Sequence, residues 1–289
     1  MKKIKRKSIL VIGGTGFIGY HLLKKAIQLK WKATSLSRTK VSRNRKIKKV
    51  KYLKLDINTT KIVTKKLNDK YDFIINLSGQ LKNTSKLVSC LSNLNVKKFL
   101  HIGSSAEYGN IKSSHSENAI CKPISNYGRT NLKFTKNLLK IYKNTRFPII
   151  ILRLFQVYGS GDNLNKIIPM VIKTCSNNKK VFLTKGLQTR DFCYIEDAIN
   201  AIILTLNTKN KKVIGEIFNV GTGISITIRE LACIIQKKIG AGKLIFGSKK
   251  MKKSEILHSK ASIKKIKQYI NWSPKVTIEQ GLNKLINNG

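Results

Sequence analysis

Two short stretches hold residue types that could do chemistry. In "GGTGFIG", Gly13, Gly16 and Gly19 recur every three residues between an apolar run and a helical pattern. The first glycine permits a tight turn, the next lets backbone approach a pyrophosphate, and the last allows close helix packing. The helix that follows turns N–H groups and a positive dipole end toward phosphates. In "SNYGRTNLKF", residues 125–134, Tyr127 precedes Gly-Arg-Thr at the start of a helix. It looks like half of a catalytic pair whose other half would be a lysine one helical turn on. Asn131 stands there instead.

The glycine loop has the strand before it and the helix after it that dinucleotide binding needs, so Gly13, Thr15, Gly16, Phe17, Ile18 and Gly19 are its expected contacts. An acidic residue ending the second strand would hold a ribose 2′-OH and favour NAD. That strand ends in Ser37 and Arg38. A hydroxyl and a guanidinium suit a 2′-phosphate better, which favours NADP with NAD as the alternative. Arg38 read blandly is one more surface cation. Asp56, ending the third strand, could accept from the adenine amino group.

These residues must be positioned by a frame, and the pattern supplies one. Short apolar runs ("SILVIGG", "KATSLSR", "VKYLKLD", "DFIINLSG", "KKFLHIGSS", "FPIIILRLFQVYG") alternate with amphipathic stretches such as "FIGYHLLKKAIQLK" and "NLKFTKNLLKIYKN". That alternation is the mark of an α/β protein with a doubly wound, Rossmann-type parallel sheet. We place the dinucleotide-binding part at 1–157. A smaller, partly interwoven substrate-binding part takes 158–289, with segments near 181–221 returning to the main sheet.

Composition bounds the rest. The chain has 289 residues and 41% hydrophobic content, enough for a sizeable core. It carries 58 Lys+Arg against 13 Asp+Glu, a net charge of +45. A polycation can gain affinity for nucleic acid or an anionic membrane by releasing counterions. The lysines form no single stripe or tail, however, and read as scattered over solvated faces, with no specific nucleic-acid partner expected. The five cysteines have no paired or metal-type spacing, as in a reduced compartment. No run reaches the roughly 20 apolar residues of a membrane span. A cytoplasmic protein without a metal is expected.

"GGTGFIG", "NLSG", "GSSAEYG", "NYGRTN", "LRLFQVYG", "RDFCYIEDA", "FNVGTG" and "NWSPKVTIEQGL" occur in an order in which the chain resembles the extended short-chain dehydrogenase/reductase family. The likeness is to its nucleotide-sugar epimerases, dehydratases and reductases, and it runs over essentially the whole chain. The resemblance implies hydride transfer between a nicotinamide cofactor and a sugar carbon, usually C4. It implies Tyr127 as proton donor or acceptor and Ser105 as the hydroxyl bonding the sugar oxygen, with Ser104 the alternative if the register slips by one. It places Glu107 where a dehydratase carboxylate assists water loss; read blandly, these three residues cap a loop. Ile57, Leu77 and Ser78 join the implied cofactor contacts. Arg190 matches the diphosphate clamp, and Asn165 and Asn219 match contacts to the bound sugar nucleotide. Asp197 matches a position near a helix start.

By the same resemblance, a lysine at position 131 would bind the nicotinamide ribose and lower the tyrosine's pKa, which is otherwise near 10. Asn131 can hydrogen-bond but brings no charge. Lys133 and Arg129 point elsewhere on the helix. A tyrosine that must act as a base suffers more from this loss than one that must act as an acid, so 4-keto reduction is placed ahead of C4 epimerisation. The segment 79–95 is shorter than the resemblance leads one to expect, which weakens the case for a homodimer. Three readings stay open: an active NAD(P)-dependent nucleotide-sugar enzyme, an impaired relative that binds cofactor and sugar nucleotide, and a polycation that binds nucleic acid or membrane.

Overall fold

The computed structural model describes residues 6–56, 70–78, 87–89, 91 and 94–287. Ile57, Cys90 and most of segment 79–95 lie outside them. The chain divides into two compact units. The first comprises Met1–Gly103, Thr130–Arg153 and Ile202–Phe218, and the second Ser104–Arg129, Leu154–Ala201 and Asn219–Gly289.

The first unit is built on a seven-stranded parallel sheet. Its strands are β1 (Ser8–Ile12), β2 (Lys32–Ser37), β3 (Val50–Lys54), β4 (Phe73–Asn76), β5 (Lys98–Ser104), β6 (Ile149–Leu154) and, later in the chain, β11 (Ile217–Val220). Their spatial order is β11-β6-β5-β4-β1-β2-β3. Between the β1·β2 and β1·β4 pairings, the strand order reverses direction, which is where open α/β sheets bind ligands. β1, β4 and β6 are apolar along almost their whole length because both faces are covered. The helix α1 (Phe17–Gln28) buries Gly19, Leu22, Leu23 and Ala26, one stripe at helical spacing. Phe134 and Leu138 of α2 (Asn126–Thr145) pack with Leu10, Ile74 and Phe99 into the core.

The second unit holds three small ladders. β7 (Gln156–Tyr158) pairs parallel with β10 (Phe192–Tyr194), and β9 (Thr189–Arg190) antiparallel with β12 (Ile226–Thr227). β8 (Lys180–Phe182) pairs parallel with β13 (Lys243–Ile245). "FPIIILRLFQVYG" reads as one strand, but the chain splits it into β6 and β7, each with its own partner strands. Helices α3 (Ile167–Ser176), α4 (Ile195–Asn207), α5 (Ile228–Ile239), α6 (Lys264–Ile270) and α7 (Ile278–Ile286) complete the described elements. The motif "NWSPKVT" is tied down physically. Trp272 Nε1 donates to Asp197 O (3.1 Å), and the backbone N–H groups of Lys275 and Val276 both donate to Asp197 Oδ2 (3.0 and 2.9 Å). Asp197 therefore holds the segment before α7. None of the described helices is long and apolar enough to cross a membrane.

One of the many lysines has a structural use in the first unit. Lys98 Nζ donates to the carbonyls of Thr205, Leu206 and Thr208 at 2.9, 3.1 and 2.6 Å, at the carboxyl end of α4, which has no basic residue in its own last turn. A cation there satisfies orphan carbonyls and complements the helix dipole. Lys98→Met keeps the apolar stem and removes the donors. It should cost about 1–3 kcal/mol of stability, read as a lower urea midpoint; an unchanged midpoint would contradict the capping role.

Candidate functional site

In the first unit the glycine loop forms a cradle that side chains would fill. Gly13 has φ +83°, in the left-handed region. A Cβ on Gly19 would lie 2.6 Å from Gly13 O and from Gly14 Cα. A Cβ on Gly16 would meet only Gly13 O, at 3.4 Å, so this residue faces comparatively open space. Gly16 is the N-cap of α1 and no side chain caps that helix, while Gly13 N is tied to Leu36 O of β2 (2.8 Å). The close packing, the bare backbone and the uncapped helix start fit a dinucleotide pyrophosphate.

Around this loop stand the other expected cofactor residues. Ser37 is buried, and its Oγ accepts from Thr15 N at 3.4 Å; Arg38 is exposed. Leu55 N donates to Ser37 O (2.9 Å), which places Asp56 just past the end of β3 beside that turn. Leu77 N donates to Ile12 O (2.9 Å), and the added Cβ of Gly13 would touch Leu77 at 3.4 Å, so "NLSG" lies against the loop. Asn76, buried at the end of β4, accepts from Ser78 N through Oδ1 (3.0 Å) and donates through Nδ2 to His101 Nδ1 (3.1 Å). Asn131 is buried on α2.

The second unit carries the residues expected to meet the sugar nucleotide. Ser104 ends β5, and its Oγ accepts from Ala106 N (3.2 Å), while Ser104 N donates to Glu107 Oε1 (3.0 Å). This reciprocal capping box starts a short turn, Ser105–Glu107, and Glu107 is fully buried in it. α2 begins beside that turn. A Cβ on Gly128 would lie 2.3 Å from Ala106 O, so glycine after Tyr127 lets the helix start press against the serine loop. Ser125 Oγ accepts from Gly128 N (3.0 Å) as the helix cap. Tyr127 is 59% exposed. Arg129 leans back along the helix to Asn126 Oδ1 (2.6 Å), away from residue 131, and Lys133 is exposed. Lys136, Lys140 and Lys143, further along α2, are exposed as well.

Arg190 donates through Nη1 to Thr189 O (2.8 Å) and through Nη2 to Glu255 Oε1 in an ion pair. The next residue, Asp191, is wholly buried. Its carboxylate accepts from Thr222 N and Oγ1 (both 2.7 Å), Gly223 N (2.9 Å) and Ala261 N (3.0 Å), joining three segments. Burial pushes this carboxyl up, against the opposing effect of these donors. Asn219 is also wholly buried. It accepts from Tyr108 OH (2.8 Å) through Oδ1, donates through Nδ2 to His115 O (2.9 Å), and its N–H donates to Glu117 Oε1 (2.9 Å). Asn165 is exposed, with its N–H on Asn163 Oδ1 (2.9 Å).

The model of the NAD dependent epimerase/dehydratase family matches residues 9–221. The chain belongs to this family. It is 28% identical to the putative UDP-glucose 4-epimerase of Methanocaldococcus jannaschii, over 96% of this chain and 97% of that protein. It is 29% identical to the CDP-abequose synthase of Salmonella muenchen, over 97% of each. Among solved structures, the UDP-glucuronic acid 4-epimerase of Bacillus cereus, in complex with UDP-glucuronic acid and NAD, is similar with 26% identity and a TM-score of 0.86. That match covers 97% of this chain and 98% of the other.

In this epimerase/dehydratase chain, sequence reading passed over Asn76, Asp191 and Glu255. A polar residue ending the apolar run "FIIN" was the signal for Asn76, and the acid inside "RDF" the signal for Asp191. Glu255 sits in a lysine-rich loop and gave none.

Two imidazoles are buried, one in each unit. His101 packs tilted against Phe134 and His115 stacks on Tyr108, with ring centroids 4.6 and 5.0 Å apart. Burial lowers the pKa of His101 to about 3, against the Asn76 contact, and that of His115 to about 4, with His258 adding repulsion. Ile111's backbone slightly favours the charged His115 ring, yet neither ring nitrogen makes a hydrogen bond of normal geometry among the described residues. The unfolded chain takes up protons below about 6.5 while the folded rings stay neutral, so stability falls as pH drops from there toward 4. Each ring contributes up to about 1.4 kcal/mol per pH unit. His115→Phe keeps a stacked ring and should roughly halve the histidine part of this slope in unfolding midpoints measured from pH 6.5 to 4.5. An identical slope in the variant would contradict the assignment.

Proposed function

We propose that the chain is an NADPH-dependent reductase of a nucleotide-linked 4-keto sugar. The observation that carries this reading is the pairing of an intact dinucleotide cradle with Asn131 in place of a lysine. When bound, the nicotinamide supplies a hydride to the carbonyl carbon. Tyr127 gives the carbonyl oxygen a proton, and the product is the C4 alcohol; the tyrosine regains its proton from solvent, to which it is open. A phenol working as an acid needs no neighbouring cation to ionise it first, whereas an epimerase or dehydratase begins with tyrosine as a base.

Ser105, or Ser104 one residue earlier, supports the same oxygen with a hydroxyl. The capping box leaves the Ser104 proton to donate even while its oxygen accepts from Ala106. Glu107 serves that box, which supports a positioning role over water elimination. Arg190 takes the diphosphate with its planar fork, Glu255 holding it in place, and Asn165 contacts the sugar nucleotide from its exposed loop. Asn219 shapes this region from beneath, through Tyr108 and His115. Ser37 and Arg38, with no acid ending β2, favour NADP over NAD.

Asn131 also favours a second reading, in which the protein binds both ligands and no longer turns over. The experiment is NADPH oxidation with a nucleotide-linked 4-keto-6-deoxyhexose, comparing wild type with Tyr127→Phe and Asn131→Lys. Turnover by wild type, reduced at least about 100-fold in Tyr127→Phe, is expected. Wild-type turnover unaffected by Tyr127→Phe would overturn the assignment. A silent wild type revived by Asn131→Lys would establish the second reading, and conversion of a nucleotide hexose to its C4 epimer without added keto sugar would replace reduction by epimerisation.

A further inference from the structure

The second unit holds a cleft of about 220 Å³, lined by Phe192 of β10 and by residues of two stretches of chain, 222–226 and 274–278. Each stretch is fixed by a buried carboxylate from the same short piece of chain as Phe192. Asp191 takes the Thr222 hydroxyl and the Thr222 and Gly223 N–H groups, and Thr222 Oγ1 also accepts from Ile224 N (3.1 Å). Asp197 takes the Lys275 and Val276 N–H groups, and the Thr277–Gln280 capping box begins α7 directly after. Phe192 itself is held edge-on to Tyr158, with ring centroids 6.0 Å apart. The cleft is therefore built by the fold, and a ligand would not have to order it.

Its lining has two kinds of residue. Ile224, Ile226, Pro274, Val276 and Ile278 give aliphatic surface, and Phe192 gives a ring. Two exposed polar residues, Lys275 and Thr277, line it too. The Thr277 hydroxyl accepts from Gln280 N (3.2 Å) and keeps its proton to donate. Both residues stand just ahead of α7, whose positive dipole end adds to the attraction for an anion. Among the described residues no carboxylate lines the cleft. Asp197 is engaged by two N–H groups, and Glu279, exposed in the first turn of α7, lies outside the lining. Apolar surface with a cation, a hydroxyl donor and no acid matches a molecule that is apolar at one end and anionic at the other. An apolar cavity of about 150 Å³ takes one benzene ring, so this cleft has room for a ring with a short acidic arm. A ring also gains from a second ring already held in place, here Phe192.

We propose that this cleft is a second binding site, for a small aromatic carboxylate whose ring lies against Phe192 and whose carboxylate meets Lys275 and Thr277. None of its residues is among those assigned above to the cofactor or the sugar nucleotide, and the site stands whichever reaction the protein performs. The bland alternative is a solvated groove, where the charge of +45 draws in any anion without regard to its apolar part. The informative quantities are therefore differences between probes of equal charge.

The test is a ligand-observed NMR titration of phenylacetate, acetate, octanoate and phenylacetamide against the full chain and its Lys275→Glu and Ile224→Glu variants. Both substituted residues are exposed, so neither change should disturb the core. Phenylacetate should bind wild type at least about ten-fold more tightly than acetate, which has the charge without the ring. Each variant should weaken phenylacetate at least about three-fold, and Lys275→Glu should leave the uncharged phenylacetamide within about two-fold. A saturating nucleotide-diphosphate sugar or NADPH should leave phenylacetate bound. Failure of wild type to bind phenylacetate, equal binding of acetate, or tighter binding of octanoate would each overturn the proposal. So would unchanged affinity in either variant, or displacement by either nucleotide.

Discussion

The loop between β1 and α1 depends on positions that lack side chains, Gly13 with φ +83° and Gly14, where a Cβ would lie 2.4 Å from Ser35 Oγ, and the rest of the first unit is arranged around that fact. Gly19 brings α1 so close that any Cβ there would sit 2.6 Å from the loop's own backbone. The helix therefore starts hard against the end of β1, with its first turn uncapped and its dipole aimed over the strand ends. β2 and the chain after β4 are held to the same loop, through Gly13 N on Leu36 O and Leu77 N on Ile12 O. The cost is backbone entropy and a helix end left without a cap. A bound pyrophosphate would satisfy the free N–H groups of that helix end.

The second unit depends on buried polar residues in the way the first depends on glycine. Asp191 gathers four donors from two other segments, and Asn219 gathers Tyr108, His115 and Glu117. Such groups are costly unless fully partnered, and when partnered they fix one arrangement of loops that have little secondary structure of their own. The candidate site's side chains hang from this frame. Arg190 precedes Asp191 in the chain, and Tyr127 begins a helix held against the serine loop by Gly128. An oriented guanidinium and an oriented phenol follow from interactions that never touch a ligand.

Much of this was legible in the sequence, for identifiable reasons. β1, β4 and β6 show because strands covered on both faces are apolar runs, and α1 shows because its buried stripe keeps helical spacing. The glycine loop shows because the close approach of α1 and the left-handed turn at Gly13 dictate its residue types. The break between β6 and β7 did not show, since nothing in "LRLFQVYG" marks a change of partner strands. Asn76, Asp191 and Glu255 were hidden for a related reason: each is defined by partners distant in sequence. The exposed position of Tyr127 and the full burial of Asn219 could not be read either, because burial of a polar residue is decided by packing.

The most direct test of net reduction follows the hydride itself. NADPH carrying deuterium at the transferable position of its nicotinamide would be given to the protein with a nucleotide-linked 4-keto sugar, and the sugar product examined by mass spectrometry and NMR. The account predicts one deuterium per product molecule, placed on C4, with one NADPH consumed for each. An altered sugar that carries no deuterium, formed while the NADPH stays unspent, would contradict it.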